Sequence, residues 1–169
     1  MRVQDPRPTD PIALARANWA EHGWEHVADG MAAVTSVMRA QQIYQARVDQ
    51  VLKPYQLTFA RYELLMLLHF SSQGSMPVKK ASERLQVHPT SITNAVDRLE
   101  AADLVRRTPH PTDGRSSLIE ITGEGRRLAL KATAALNDEV FARPGLTAGE
   151  VRALVSVLEA LRRDAGDLD

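Results

Sequence analysis

The chain has 169 residues, 44% hydrophobic and 25% charged, and its 21 Lys/Arg balance 21 Asp/Glu to a formal net charge of +0. That length can bury a core in one domain, or in one domain with helical arms, and the charge balance argues against indiscriminate coating of nucleic acid. There is no cysteine, which excludes disulfides, thiolate metal sites and thiol redox sensing; the longest dense apolar run, Leu64 to Leu68, is far short of the ~20 residues a bilayer span needs.

Met1 to Pro11 holds three prolines, no apolar period and nothing like a secretory signal, so it reads as a loose arm and the cytoplasm is the expected compartment. Ile12 to Trp24 suits a short helix. Gly30 opens a longer one, in which Val34, Val37, Met38, Tyr44, Val48, Val51 and Leu52 keep a helical stripe until Pro54 ends it. Thr58 is a good N-cap for a helix running through Phe70, apolar almost all round and so expected to be buried. Ser71 to Ser75 reads as a loop. Val78 to Leu85 then offers Val78, Ala81 and Leu85 for burial and turns Lys79 and Lys80 outward.

The next helix begins at His88-Pro89, because proline suits the first helical position, where its missing N–H would be unbonded anyway. Ile92, Ala95, Val96 and Leu99 recur at helical spacing as one buried stripe. Leu104 to Thr108 and Ser117 to Thr122 are strand-like runs joined by Pro109-His110-Pro111-Thr112-Asp113-Gly114-Arg115, whose two prolines and Asp-Gly pair make a turn. Gly123 to roughly Phe141 is helical, and Arg143-Pro144-Gly145 breaks it. The final helix opens on a capping box, Thr147 with Glu150, and carries the stripe Val151, Leu154, Val155, Leu158 and Leu161.

A short supporting helix, a turn, a second helix with one apolar and one short polar face, and a ribbon with a basic tip describe a winged helix-turn-helix. The fold class is therefore mainly α with a small β-wing, with N- and C-terminal helices in excess of what the lobe needs. Thr90, Asn94 and Asp97 lie opposite the buried stripe, flanked by Ser91, Thr93 and Arg98. Their short hydroxyl and amide groups let the backbone approach base edges, where asparagine can pair bidentately with adenine and threonine can bond a base or touch a thymine methyl. Asp97 would repel phosphates and is expected to pair with a nearby arginine. Arg115, oriented by Asp113 beside Gly114, sits where a wing tip meets the backbone or the negative minor groove. Lys79, Lys80 and His88 are the backbone-contact candidates, and locally the charge is favourable: Lys79 to Arg115 holds seven Lys/Arg against five Asp/Glu.

The terminal helices must bury their apolar faces on something. A second copy of the chain is the simplest answer, because two recognition helices about a two-fold axis enter successive major grooves ~34 Å apart; the alternative is that they only cap a monomer's core.

Asp113-Gly114-Arg115-Ser116-Ser117-Leu118-Ile119-Glu120-Ile121-Thr122, followed by Gly125, resembles the wing signature of the MarR family of bacterial regulators, and so does Val96-Asp97-Arg98-Leu99-Glu100. The resemblance implies a ligand-responsive homodimer on a pseudo-palindromic double-stranded DNA operator, usually a repressor, with no cofactor and no metal. It also implies an organisation of residues 1–29 as arm and short helix, 30–74 as helices for dimerisation and a ligand pocket, 75–122 as the DNA-binding lobe, and 123–169 as C-terminal dimerisation helices. The N-terminal extension with Trp19 and the run Leu57 to Phe70 look most like the subgroup answering to urate or to tricarboxylates such as trans-aconitate. In that light a small organic anion is the expected effector, with Trp19, Arg39, Glu63, His69 and Arg84 as its candidate contacts; arginine's fork suits a carboxylate.

Two rival readings come from other classes. His22-Gly23-Trp24-Glu25-His26 places two histidines four apart with a glutamate, as at the start of a zinc-enzyme site, but Gly23 weakens the helix, the order is not His-Glu-x-x-His and no third ligand is evident. A winged helix that binds protein instead of DNA would be expected to lose the basic wing and expose apolar residues on its second helix.

Overall fold

The computed structural model describes residues 10–109 and 117–168. In chain order it contains α1 (Pro11–Glu21), α2 (Glu25–Leu52), a 3-10 turn (Lys53–Tyr55), α3 (Phe59–Phe70), β1 (Ser75–Pro77), α4 (Val78–Leu85), α5 (Pro89–Glu100), β2 (Val105–Pro109), β3 (Ser117–Ile121), α6 (Gly123–Leu136) running into a π-helical turn (Asn137–Phe141), and α7 (Ala148–Asp164). The chain forms two compact units, residues 1–47 and 48–169.

In the first unit, Asp10 caps α1 by accepting the Ile12 N–H at 3.0 Å. The break between α1 and α2 falls at Gly23, whose φ of +86° suits a residue without a Cβ. The second helix therefore starts at Glu25, five residues before the expected opening at Gly30, and Gly30 lies within it with no atom near its missing Cβ. Trp19 and Trp24 meet edge to face with centroids 5.5 Å apart. Val34, Val37 and Met38 are exposed.

The second unit holds the core. Leu52, Leu64, Leu65, Leu68, Val96, Leu99, Val105, Ile119 and Leu136 are fully buried, gathering α3, α5, both long strands and α6 around one centre. Thr58 caps α3 as expected, accepting from the Arg61 N–H at 3.4 Å. The Tyr62 hydroxyl reaches Thr133 on α6 at 3.0 Å. One end of α3 departs from the expected burial, because Phe70 is 76% exposed.

The sheet has three strands, not two. β1 pairs antiparallel with β3 (Met76 opposite Ile119), and β3 pairs antiparallel with β2 (Arg107 opposite Ile119), giving the order β1-β3-β2. β2 runs into α6 territory through one close contact: the Leu104 carbonyl accepts the Thr122 N–H at 3.0 Å, and Gly125 packs so tightly against it that a Cβ there would lie 2.0 Å from the oxygen. The capping box at Thr147 and Glu150 is formed on both sides, and the α7 stripe it introduces stays open, with Leu154, Val155 and Leu161 exposed. At its far end α7 is tied to the α4–α5 turn, where Arg162 donates to the Gln86 side-chain carbonyl at 3.0 Å and Gln86 donates to the Asp167 carbonyl at 3.1 Å. Among the described residues no helix is long and apolar enough to cross a membrane.

Candidate nucleic-acid interface

The turn between α4 and α5 is built without glycine. Gln86 takes a left-handed φ of 52°, the Val87 N–H donates back to the Ser82 carbonyl at 3.2 Å, and the nearly buried Ser82 hydroxyl donates to the Val87 carbonyl at 2.7 Å. These bonds fix the angle between supporting and recognition helices. Pro89 then occupies the first turn of α5, and His88 supplies the N-cap, its Nδ1 accepting the Thr90 N–H at 3.2 Å. Sequence reasoning placed His88 only as a backbone contact, since histidine lies outside the usual capping set of Ser, Thr, Asp and Asn.

Ile92, Ala95, Val96 and Leu99 are all buried, so the opposite side of α5 is fixed outward. Thr90, Thr93 and Asn94 are exposed together on that side. The Thr93 hydroxyl donates to the Pro89 carbonyl at 3.0 Å, which leaves its lone pair facing out as an acceptor. Ser91 and Arg98 lie on the flank turned toward α3: Ser91 borders a small apolar crevice with Glu63, Leu85 and Ile92, and Arg98 borders an open cleft with Tyr55, Arg61 and Glu124. Lys79, Lys80 and His88 are exposed, and Lys79 sits 4.0 Å from Glu83.

The carboxylate on the polar face has the partner its position demands. Arg107 on β2 donates to Asp97 and to Glu100, and its own N–H donates to Glu100 at 2.9 Å, clamping α5 to the ribbon. These two carboxylates hold the guanidinium's pKa above its ordinary value. Next to it, Arg106 and Glu120 face each other across the strand pair at 2.8 Å, and the guanidinium keeps the Glu120 carboxyl below the usual carboxylate range. The ribbon therefore carries its positive charge partly neutralised. Asp113, Gly114 and Arg115, expected at the wing tip, lie outside the described residues.

Each candidate effector residue has its own neighbours within its unit. In the first unit, Trp19 packs on Trp24 and Arg39 donates to Gln42 at 3.1 Å. In the second, Glu63 sits in the apolar crevice under α5, where burial raises its pKa. His69 accepts from Arg126 at 2.8 Å, and Arg84 lines a third cavity beside Phe70 and Lys80. Glu63, His69 and Arg84 thus have different neighbours. Of the histidine pair weighed as a metal site, His22 donates to the Asn18 carbonyl at 2.7 Å and stacks on Trp24. Among the described residues no group of three or more His, Cys, Asp or Glu side chains gathers at a metal-binding distance.

Comparison with known proteins agrees with this architecture. Residues 57–117 match the model of the MarR family. The HTH-type transcriptional regulator YhbI of Bacillus subtilis is 35% identical over 122 residues, covering 72% of this chain and 73% of its own. Among solved structures, Sco5413, a MarR family transcriptional regulator from Streptomyces coelicolor, is 49% identical with a TM-score of 0.75, over 83% of this chain and 98% of its own. The transcriptional repressor CouR, bound to a 23-mer DNA duplex, is 25% identical with a TM-score of 0.69, over 75% of this chain and 89% of its own.

Proposed function

The chain belongs to the MarR family of transcriptional regulators, and on that premise we propose that it binds a pseudo-palindromic operator as a homodimer, acts as a repressor, and is released by a small organic anion. The observation that carries the DNA half of this reading is the exposed face of Thr90, Thr93 and Asn94 on a helix whose other side is wholly buried. Thr90, Thr93 and Asn94 would read base edges, Ser91 and Arg98 would contact the flank of the site, and Lys79, Lys80 and His88 would hold phosphates. Arg115, next after Asp113 and Gly114, would reach the backbone or the minor groove.

Support for the dimer comes from apolar side chains left open within each unit: Val34, Val37 and Met38 on α2, and Val155, Val157 and Leu161 on α7. Each gains about 1.5–3 kcal/mol when fully buried, so covering either set with a second copy of the chain would favour association. Trp19, Arg39, Glu63, His69 and Arg84 remain the candidate effector contacts, with urate and trans-aconitate as the effectors to test first. An anion near Glu63 is tolerated only if that carboxyl is protonated or paired. Coupling of ~1–3 kcal/mol suffices for regulation, and DNA must then weaken effector binding by the same factor.

The test is fluorescence anisotropy of the protein with the promoter fragment upstream of its own gene across a salt series. Phosphate contacts require a steep loss of affinity as salt rises, and affinity indifferent to salt and to Arg115→Ala would instead favour a protein-binding winged helix. A thermal-shift screen of urate and aconitate isomers, followed by release of the bound fragment, tests the effector.

A further inference from the structure

Between the end of α3, β1 and α4 lies an open cleft of about 490 Å³, walled by Phe70, Ser72, Gln73, Ser75, Lys80 and Arg84 and containing no acidic residue. Lys80 and Arg84 stand four apart on α4, so their head groups share one face. Among the described residues neither is paired with a carboxylate, whereas the adjacent Lys79 is. The facing wall is pre-shaped: the Ser71 hydroxyl donates to the Ser75 carbonyl at 2.9 Å and the Gly74 N–H donates to the Ser71 carbonyl at 3.0 Å. That leaves the Ser72 and Ser75 hydroxyls and the Gln73 amide as unengaged donors at the opening.

At the rim stands Phe70, 76% exposed, the most solvent-exposed of the large apolar side chains described. A ring held there has a free face for stacking. The cleft thus offers two uncompensated cations and three neutral donors beside a flat apolar surface. One carboxylate has two oxygens and would leave most of these groups idle. A phosphomonoester carries up to two charges and three terminal oxygens, which match a guanidinium fork, an ammonium and hydroxyls together. The volume falls within the roughly 300–1,000 Å³ of small-molecule sites.

We propose that this cleft binds a phosphorylated planar ligand of the nucleoside monophosphate kind, with Lys80 and Arg84 on the phosphoryl group and Phe70 stacked on the ring. It does not depend on base reading by α5, although it shares Lys80 with the proposed DNA-phosphate contacts and Arg84 with the candidate effector contacts. The same phosphoryl chemistry is present in the backbone of flanking DNA, so the experiment must separate the two sources.

The intact protein is titrated calorimetrically with AMP, adenosine, inorganic phosphate and a random-sequence duplex, as wild type and as Lys80→Gln, Arg84→Gln and Phe70→Ser. All three positions are exposed, so the substitutions remove function and leave the core intact. AMP should bind saturably and adenosine roughly tenfold or more weakly, and each lost charge should weaken AMP by roughly tenfold. Phe70→Ser should weaken AMP and leave inorganic phosphate unchanged. Losses confined to the duplex, with AMP not bound, overturn the nucleotide in favour of the DNA backbone. Adenosine binding as tightly as AMP, or affinities untouched by all three substitutions, overturn phosphoryl recognition altogether.

Discussion

Gly125→Ala is a single-methyl change with a large expected effect. A Cβ at this position would lie 2.0 Å from the Leu104 carbonyl oxygen, 2.9 Å from its carbon and 3.1 Å from Ile121 Cγ1. The obstructing atoms are backbone, so no side chain can swing aside; Leu104 must retreat by roughly 1 Å or more to restore an ordinary contact. Its carbonyl accepts the N–H of Thr122 at 3.0 Å and shares the Thr122 hydroxyl, at 3.1 Å, with the Asp103 carbonyl at 2.8 Å, and retreat strains both. Overpacking of this kind costs about 1–3 kcal/mol, and each weakened hydrogen bond adds about 0.5–1.5 kcal/mol. Alanine's better helix propensity returns up to about 1 kcal/mol. The balance is a loss of about 1–6 kcal/mol, centred at ~3, which at the centre lowers the melting temperature by roughly 6–12 °C for a chain of this size. Calorimetry at fixed protein concentration measures it, since the proposed dimer would make the melt concentration-dependent. Gly123→Ala is the control, because its Cβ would meet only Arg127 Nη1 at 3.8 Å and the substitution should be neutral or mildly stabilising. If Gly125→Ala melts with wild type, the close approach of α6 to Leu104 is not a constraint and the reasoning fails.

Other perturbations have equally defined outcomes. Asn94→Ala should relax base preference at one position per half-site by about 1–3 kcal/mol in a sequence-selection assay; unchanged preference removes it from the reading set. Arg107→Gln frees Asp97 and Glu100 on α5, the helix proposed to face DNA, and should weaken operator binding most at low salt, where repulsion from phosphates is least screened; equal weakening at all salt concentrations would point to misfolding. Glu63→Gln should raise the melting temperature at neutral pH. Burial raises the folded-state pKa of Glu63, so the native protein binds the proton more tightly than the unfolded chain, and stability falls as pH climbs through the interval from the unfolded to the folded value. The advantage of the glutamine should therefore vanish below that interval, and a difference that persists in acid would assign the effect to packing.

Much of the lobe was legible because its signals are local. The α5 stripe follows from period alone, and the caps at Thr58 and Thr147 follow from side chains that can reach the nearest free N–H groups. The need of Asp97 for an arginine was readable as electrostatics, although which one, Arg107, depended on the ribbon's register. What escaped depends on distant partners or on atypical residues. β1 is three residues long and contains proline, so nothing marks it as a strand until β3 lies beside it. The left-handed turns at Gln56, Gln86 and Asp103 use no glycine and leave no compositional trace. Gly30 drew the helix start away from Gly23, because a glycine looks alike in sequence whether it breaks a helix or sits inside one. The effector candidates rest on the family resemblance and on side-chain chemistry, neither of which fixes distances, and Glu63, His69 and Arg84 have different neighbours.

The clamp of Arg107 on Asp97 and Glu100 has a bearing on how such a reading head can diversify. With Arg107 of β2 bonded to Asp97 and Glu100 near the end of the helix, rolling α5 about its own axis would break those bonds, so its orientation is coupled to the sheet. On the proposed reading, new target preferences would then come from exchanging the side chains at Thr90, Thr93 and Asn94 within one pose, and not from docking the same face at another angle.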